Sequence, residues 1–278
     1  MIIDWRGLHF GGCVLVLLSL VSYTLPAVAQ TEAPRSVGVP PVVHEQPLGF
    51  GQSMFGVEFG VGQNMQLGTF TCPCGEAFNG GKGNGWDVSA FFELPIIPDF
   101  FAGFKAGLDR KNTRSSYPTT ENVIIETSSG DTSPVTLPIH LTGSLTLTLL
   151  SFEPFIQYQI LSTNFFVQVG AGISALTTSI FSETRTLASN SVTLSDGTTV
   201  NNFTFNNGSR TEESQNGALT GANSLLVSGI LSAGYNFNAG RMTLAPKVTY
   251  EYPFSSAQSG ENWNIASLYG SLAVGFHL

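Results

Sequence analysis

From Phe55 onward the chain repeats one pattern, with apolar side chains on every second residue and small or polar residues between them. Phe55, Val57, Phe59 and Val61 alternate with Gly56, Glu58, Gly60 and Gly62. Successive side chains of a β-strand point to opposite faces, so this period predicts a strand with one apolar and one mixed face. Nowhere beyond that point does the chain supply the roughly 18 consecutive apolar residues of a spanning helix. If it crosses a membrane, it must do so as a closed sheet, because hydrocarbon cannot satisfy the hydrogen-bonding groups of an open edge.

The alternation returns seven more times. Trp86, Val88, Ala90, Phe92 and Leu94 stand opposite Asp87, Ser89 and Glu93; Phe100, Ala102, Phe104, Ala106 and Leu108 stand opposite Gly103, Lys105, Gly107 and Asp109. A fourth strand lies within 139–160, where Phe152, Pro154, Ile156 and Tyr158 oppose Glu153, Gln157 and Gln159, and a change of pattern near Leu149–Leu150 predicts a bulge. Further strands follow at about 165–173, 223–236, 242–252 and 268–278, the seventh carrying Lys247 and Glu251 on its mixed face.

The seven connections alternate in length: long at 63–84, short at 95–99, long at 110–135, short at 161–164, long at 177–220, short at 237–241 and intermediate at 253–264. Short turns on one end and long loops on the other are the habit of outer-membrane barrels. Composition leaves open which face is inside, since a soluble barrel would bury the apolar set. Loop parity, aromatics near strand ends (Phe100, Phe165, Tyr250, Tyr252, Phe276) and an export signal favour lipid outside.

That signal occupies residues 1–29: Arg6, an apolar run from Cys13 to Val21, then Ala27 and Ala29 before a cleavage point. Residues 30–50, with Pro34, Pro40, Pro41 and Pro47, read as a periplasmic linker, and 51–278 as the barrel. The expected fold is thus all-β: an eight-stranded antiparallel up-and-down transmembrane β-barrel with short periplasmic turns and long extracellular loops, located in a bacterial outer membrane. A net charge of −8, with 11 Lys and Arg in the whole chain, excludes nucleic acid as a partner.

The hairpin SFEPFIQYQILSTNFFVQVGAGI at 151–173, with its aromatic-Glu-Pro entry, polar turn and Gly170-x-Gly172 exit, resembles the outer-membrane β-barrel domain family, the small PorT-like and OmpA/OmpX-like eight-stranded barrels. The closing YGSLAVGFHL is similar to the family's last strand, with Leu278 where the terminal aromatic usually stands and Phe276 two residues earlier. The resemblance implies outer-membrane lipid around the wall and the barrel-assembly machinery as a partner during insertion.

Eight strands enclose an interior that side chains can fill. The inward set Glu58, Asp87, Glu93, Lys105, Glu153, Lys247 and Glu251 is therefore expected to form a compensated charge network, a salt-bridged plug in preference to an ion or proton path. Cys72-Pro73-Cys74 in the first long loop is expected to hold a local disulfide, with free or intermolecular thiols as the alternative; neither His nor another Cys lies nearby to complete a metal site. No cofactor is expected. For an enzyme, His140 with Thr142 on the same face and Ser144 two residues on is the sole candidate group, and no acidic residue is evident to orient it, so no catalytic residue is assigned. The third long loop, rich in Ser, Thr, Asn and Gly, reads as solvated surface of variable sequence, and its alternating Val200, Phe203 and Phe205 offer the alternative of strands continued above the membrane as a ledge with an edge for a partner. The function expected is display of surface loops, for envelope integrity or for contact with an extracellular partner. The alternatives are a transporter of small hydrophobic solutes lined by Phe91, Phe101 and Phe155, and a rim-located lipid hydrolase or acyltransferase.

Overall fold

The computed structural model describes residues 52–71, 77–126, 132–160, 163–194 and 197–278. The export signal, the linker, Cys72 and Cys74 lie outside the described residues. The strands are β1 (Met54–Thr71), β2 (Ala77–Asn79), β3 (Lys82–Ile97), β4 (Phe100–Glu126), β5 (Thr132–Gln159), β6 (Phe165–Leu187), β7 (Ser191–Thr193), β8 (Thr199–Asn201), β9 (Thr211–Ala218), β10 (Leu225–Tyr235), β11 (Phe237–Ala239), β12 (Met242–Pro253) and β13 (Trp263–His277).

Eight of them form a ring in the hydrogen-bonded order β10-β12-β13-β1-β3-β4-β5-β6, and antiparallel pairing of β6 with β10, from Ala175↔Leu225 to Phe165↔Tyr235, closes it. Closure pairs the backbone groups all the way round and leaves no sheet edge at this level. Leu278 N–H donates to Ser53 O at 2.9 Å, which brings the two ends of the barrel together at the end that also carries the short turns.

Above the ring the wall continues. All 27 residues of β4 pair with β5, from Phe100↔Tyr158 to Glu126↔Thr132. A spanning strand needs only about 9–11 residues, so this hairpin runs far beyond a bilayer. β6 extends beside it and takes β9 as its upper partner, Ile180↔Ala218 to Thr186↔Thr211. Much of the sequence at 110–135 and 177–220 that reads as loop is thus strand; the end-to-end parity of the long connections stands.

The expected bulge is present in the β5–β6 ladder but on the other strand. Thr148 pairs with Thr178 and Leu149 with Leu176, so the extra residue is Thr177 of β6. β6 changes parity there: Phe166, Gln168 and Ser174 are buried below it, Phe181, Glu183 and Leu187 above it. β5 keeps its odd residues inward from Val135 to Gln159. What changes at Leu149–Leu150 is the chemistry of the inward face, from leucine to Ser151, Glu153 and Gln157.

The upper body has an apolar core. Leu137, Ile139, Leu141, Leu145, Leu147 and Leu149 of β5 pack with Phe70, Phe78, Phe181, Trp263 and Ile265. Phe70 lies edge-on to Phe181 and Trp263, with ring centroids 5.0 and 5.1 Å apart. Gly143 interrupts the leucine run for a steric reason: a Cβ there would sit 2.9 Å from the ring of Phe78, which fills the gap from β2. Val200, Phe203 and Phe205 are half-buried against this core. They form neither solvated surface nor the alternative ledge; the short β7–β8 hairpin turns that segment back onto the core, and β6 with β9 supplies the extension.

Candidate functional site

The inward face of the ring carries two charge clusters, one above the other along the odd or even residues of each strand. In the lower cluster Glu58 of β1 bridges two lysines: Lys247 Nζ of β12 lies 2.6 Å from its Oε2 and Lys105 Nζ of β4 lies 3.6 Å from its Oε1. Lys105 also reaches Glu153 Oε2 of β5 at 3.2 Å, and Lys247 donates to Gln168 Oε1 of β6 at 3.4 Å. Two carboxylates thus face two ammonium groups. Gln157 Nε2 donates to Glu93 Oε1 at 3.5 Å beside them.

In the upper cluster Lys111 Nζ lies 2.5 Å from Glu251 Oε2 and 3.3 Å from Asp109 Oδ2. Tyr269 donates its hydroxyl to Asp109 Oδ1 at 3.0 Å; Ser267 Oγ donates to Asn64 Oδ1 at 2.9 Å, and Asn64 Nδ2 to Asn112 O at 3.2 Å. Such a polar floor under Trp263 and Leu147 supplies partners for these buried polar groups where the apolar core begins, with Asn112 Oδ1 left unpartnered beside it.

Of the residues singled out in the sequence, Glu58, Lys105, Glu153 and Lys247 come together in one cluster and Glu251 joins the other. Glu93 is buried beside the first. Asp87 lies between them, opposite Gly60 and Asp109 in register, and among the described residues it forms no ion pair with a lysine. Asp109, Lys111, Asn64 and Tyr269 were missed as members of this network. Asp109 already stands on the mixed face read for β4, and continuing the same parity by one more step reaches Lys111.

Little space remains around these side chains. One cavity of about 30 Å³ is lined by Glu58, Phe91, Glu93, Lys105, Phe155 and Lys247 among others, and a second of about 20 Å³ by Lys111, Leu147, Leu149 and Glu251 among others. Each has room for roughly one water. Phe101 is buried but does not line the first cavity. Gly103 shows how tightly the interior is filled, since a Cβ there would come within 2.5 Å of the Phe155 ring.

The outward face of the same strands is apolar and bare. Val57, Phe59 and Val61 are 54–58% exposed, while Glu58 between them is 3% exposed and Lys105 is 5% exposed. Water would favour the reverse arrangement, and burying three lysines to expose phenylalanine is stable only where the outer medium is hydrocarbon. The chain is a transmembrane β-barrel. Its apolar band covers about nine residues per strand, for example Phe100 to Leu108 on β4 and Leu150 to Tyr158 on β5, as a tilted spanning strand requires. Aromatic pairs mark its lower rim: Phe100 with Tyr158 at 4.7 Å, Phe165 with Tyr235 at 4.8 Å and Phe55 with Phe276 at 6.0 Å.

His140 is exposed on the outer face of β5, far above the band, paired in register with Pro118 and Thr186. Thr142 donates its hydroxyl to Ser116 at 3.1 Å, and among the described residues no hydrogen bond joins His140 to a carboxylate. At the opposite end His277 Nε2 and the Thr243 hydroxyl are 2.8 Å apart.

No family model matches the sequence, and no curated relative matches it. Among solved structures, Ail, the attachment invasion locus protein of Yersinia pestis, is 9% identical, with 81% of this chain and 99% of that one covered and a TM-score of 0.32. Neisserial surface protein A is 12% identical over 81% of this chain and 97% of its own, with a TM-score of 0.33. The NanC porin is 9% identical over 82% and 100%, with a TM-score of 0.21. These likenesses are distant; the closed ring and the inverted faces of this chain are what make it a membrane barrel.

Proposed function

We propose that the protein is a non-enzymatic outer-membrane anchor that holds a folded extracellular body in place for surface interaction or envelope integrity. One observation carries this reading: the inward face of β5 is leucine above the membrane and polar within it, so the long hairpins are built as a packed body with its own core. Its outer surface, rich in Ser, Thr and Asn, is the face offered to an extracellular partner. The lumen charges act as the plug of the anchor: paired side chains fill a space that would otherwise admit water. Residues 1–29 serve export, 30–50 tether the barrel, and β13 presents the strand that the assembly machinery reads.

Transport of small apolar solutes is the competing reading, with Phe91 and Phe155 as lining. Cavities of about 30 and 20 Å³ hold no such solute. The two readings separate in one pair of measurements. Vesicles carrying the folded protein should take up sugars and small aromatics no faster than empty vesicles. In a deletion strain, Leu147→Arg should restore a heat-modifiable barrel but not the lost surface phenotype. Swelling at the rate of a porin, or full rescue by L147R, would contradict the proposal.

A further inference from the structure

Three cations stand together on one wall at the upper edge of the apolar band. Lys82 of β3 pairs in register with Arg114 of β4, and Trp86 of β3 pairs with Arg110 of β4. All three cationic side chains are exposed on the outer face, with Arg110 one outward step above Leu108, where the apolar band ends on β4. Among the described residues none of the three is in an ion pair. Their outward neighbours are neutral: Gln63 and Met65 on β1, and Ser144, Thr146 and Thr148 on β5.

That grouping is costly as it stands. Like charges directly opposite each other on paired strands destabilise the sheet, and Lys82 and Arg114 are such a pair. It is also uneven, for a chain of net charge −8 has 11 Lys and Arg in all, and three of them share this patch. An anion held between the strands would remove the repulsion. Height selects the source of that anion. The patch begins where hydrocarbon ends, at the depth of lipid headgroups, and half-buried Trp86 beside Arg110 is the side chain type that settles at that interface.

We propose that Lys82, Arg110 and Arg114 form a binding site for the phosphate of an anionic lipid in the outer leaflet. Arg114 and Lys82 hold the phosphate from two adjacent strands, Arg110 contacts it or its neighbour from below, and the acyl chains lie along Val88, Leu108 and Leu150. The site ties the foot of the β4–β5 hairpin to the membrane surface on one side of the barrel.

Trp86 provides the readout. With Trp5→Phe, the only other tryptophan is Trp263, which is fully buried. The full chain is reconstituted in phosphatidylcholine containing a small fraction of brominated phosphatidic acid, or the same fraction of brominated phosphatidylcholine. Bromine quenches indole fluorescence at contact. The site predicts stronger quenching by phosphatidic acid, corresponding to a local enrichment of about fivefold for each engaged cation. The enrichment should fall to the bulk ratio in Lys82→Gln/Arg110→Gln/Arg114→Gln, fall part of the way in Arg114→Gln alone, and persist in Arg241→Gln at the opposite rim. Inorganic phosphate should not compete it away. Equal quenching by the two lipids, unchanged enrichment in both the single and triple variants, or displacement by inorganic phosphate would each overturn the proposal.

Discussion

The barrel wall and the extracellular body are made from the same strands with opposite rules. Along β5 the odd residues face inward throughout, yet they are Val135, Leu137, Ile139, Leu141, Leu145, Leu147 and Leu149 above the membrane and Ser151, Glu153, Gln157 and Gln159 within it. β13 makes the same exchange, with Trp263 and Ile265 above and Ser267, Tyr269 and Ser271 below. The outer medium dictates the difference. In water the apolar set gains by turning inward; in hydrocarbon that gain vanishes, and the polar set must turn inward to be satisfied. A continuous β-ladder can pass from one regime to the other without changing parity, because the side-chain alternation is a property of the backbone and its filling is a property of the sequence.

The largest predicted effect attacks the membrane half from inside. Glu58→Ala leaves Lys105 and Lys247 facing each other without their shared carboxylate, and should cost about 3–5 kcal/mol in urea-induced unfolding from vesicles. Replacing the cluster as a whole, Glu58→Leu with Lys105→Met, Lys247→Met and Glu153→Gln, should recover most of that loss. Leu147→Ala in the extracellular core should cost about 2–5 kcal/mol, by transfer and cavity formation. Its signature should differ: hydrogen exchange should quicken in the upper parts of β5 and β6 while the ring below Leu149 stays protected.

Outer-face changes sharpen the contrast further. Phe59→Lys, near the middle of the apolar band, should cost about 2–4 kcal/mol. Thr146→Lys, on the outer face of β5 just above the band, should stay within about 0.5 kcal/mol, as a substitution at a water-facing site does. If the two lysines cost the same, the outer medium does not change between those levels.

The membrane half was readable in the sequence because its apolar face is uninterrupted and period two needs only a few residues to declare itself. Phe55–Val61, Trp86–Leu94 and Met242–Tyr252 each lie on strands found in the structure. The upper half was not readable in the same way. Segments such as Arg114 to Asn122 and Thr211 to Ala218 are polar on their exposed face and only half-buried on the other, so they carry the composition of loops although ladders hold them as strands. The bulge illustrates the same limit. A swap from leucine to polar residues at Leu149–Ser151 mimics a register change in a single strand, whereas the residue that does change register, Thr177, sits among Ser and Thr that mark no face. Within the lumen, Glu58, Lys105 and Lys247 declared themselves as isolated charges in clear strands. Asp109 showed its face but not its partner, and Lys111 did not declare itself, because it stands where the polar lumen gives way to the apolar core, beyond the last outward apolar residue of the alternation at Leu108.

The most direct measurement is a cysteine scan along β5 from 136 to 158 in membrane-inserted protein whose Cys72 and Cys74 have been replaced by Ser. Each position is treated with a water-soluble and then a lipid-soluble thiol reagent. Even positions 136–148 should react with the water-soluble reagent, even positions 150–158 with the lipid-soluble one alone, and odd positions with neither. Reaction of even positions 150–158 with the water-soluble reagent would contradict the membrane barrel, and reaction of odd positions 151–157 with it would contradict the closed lumen.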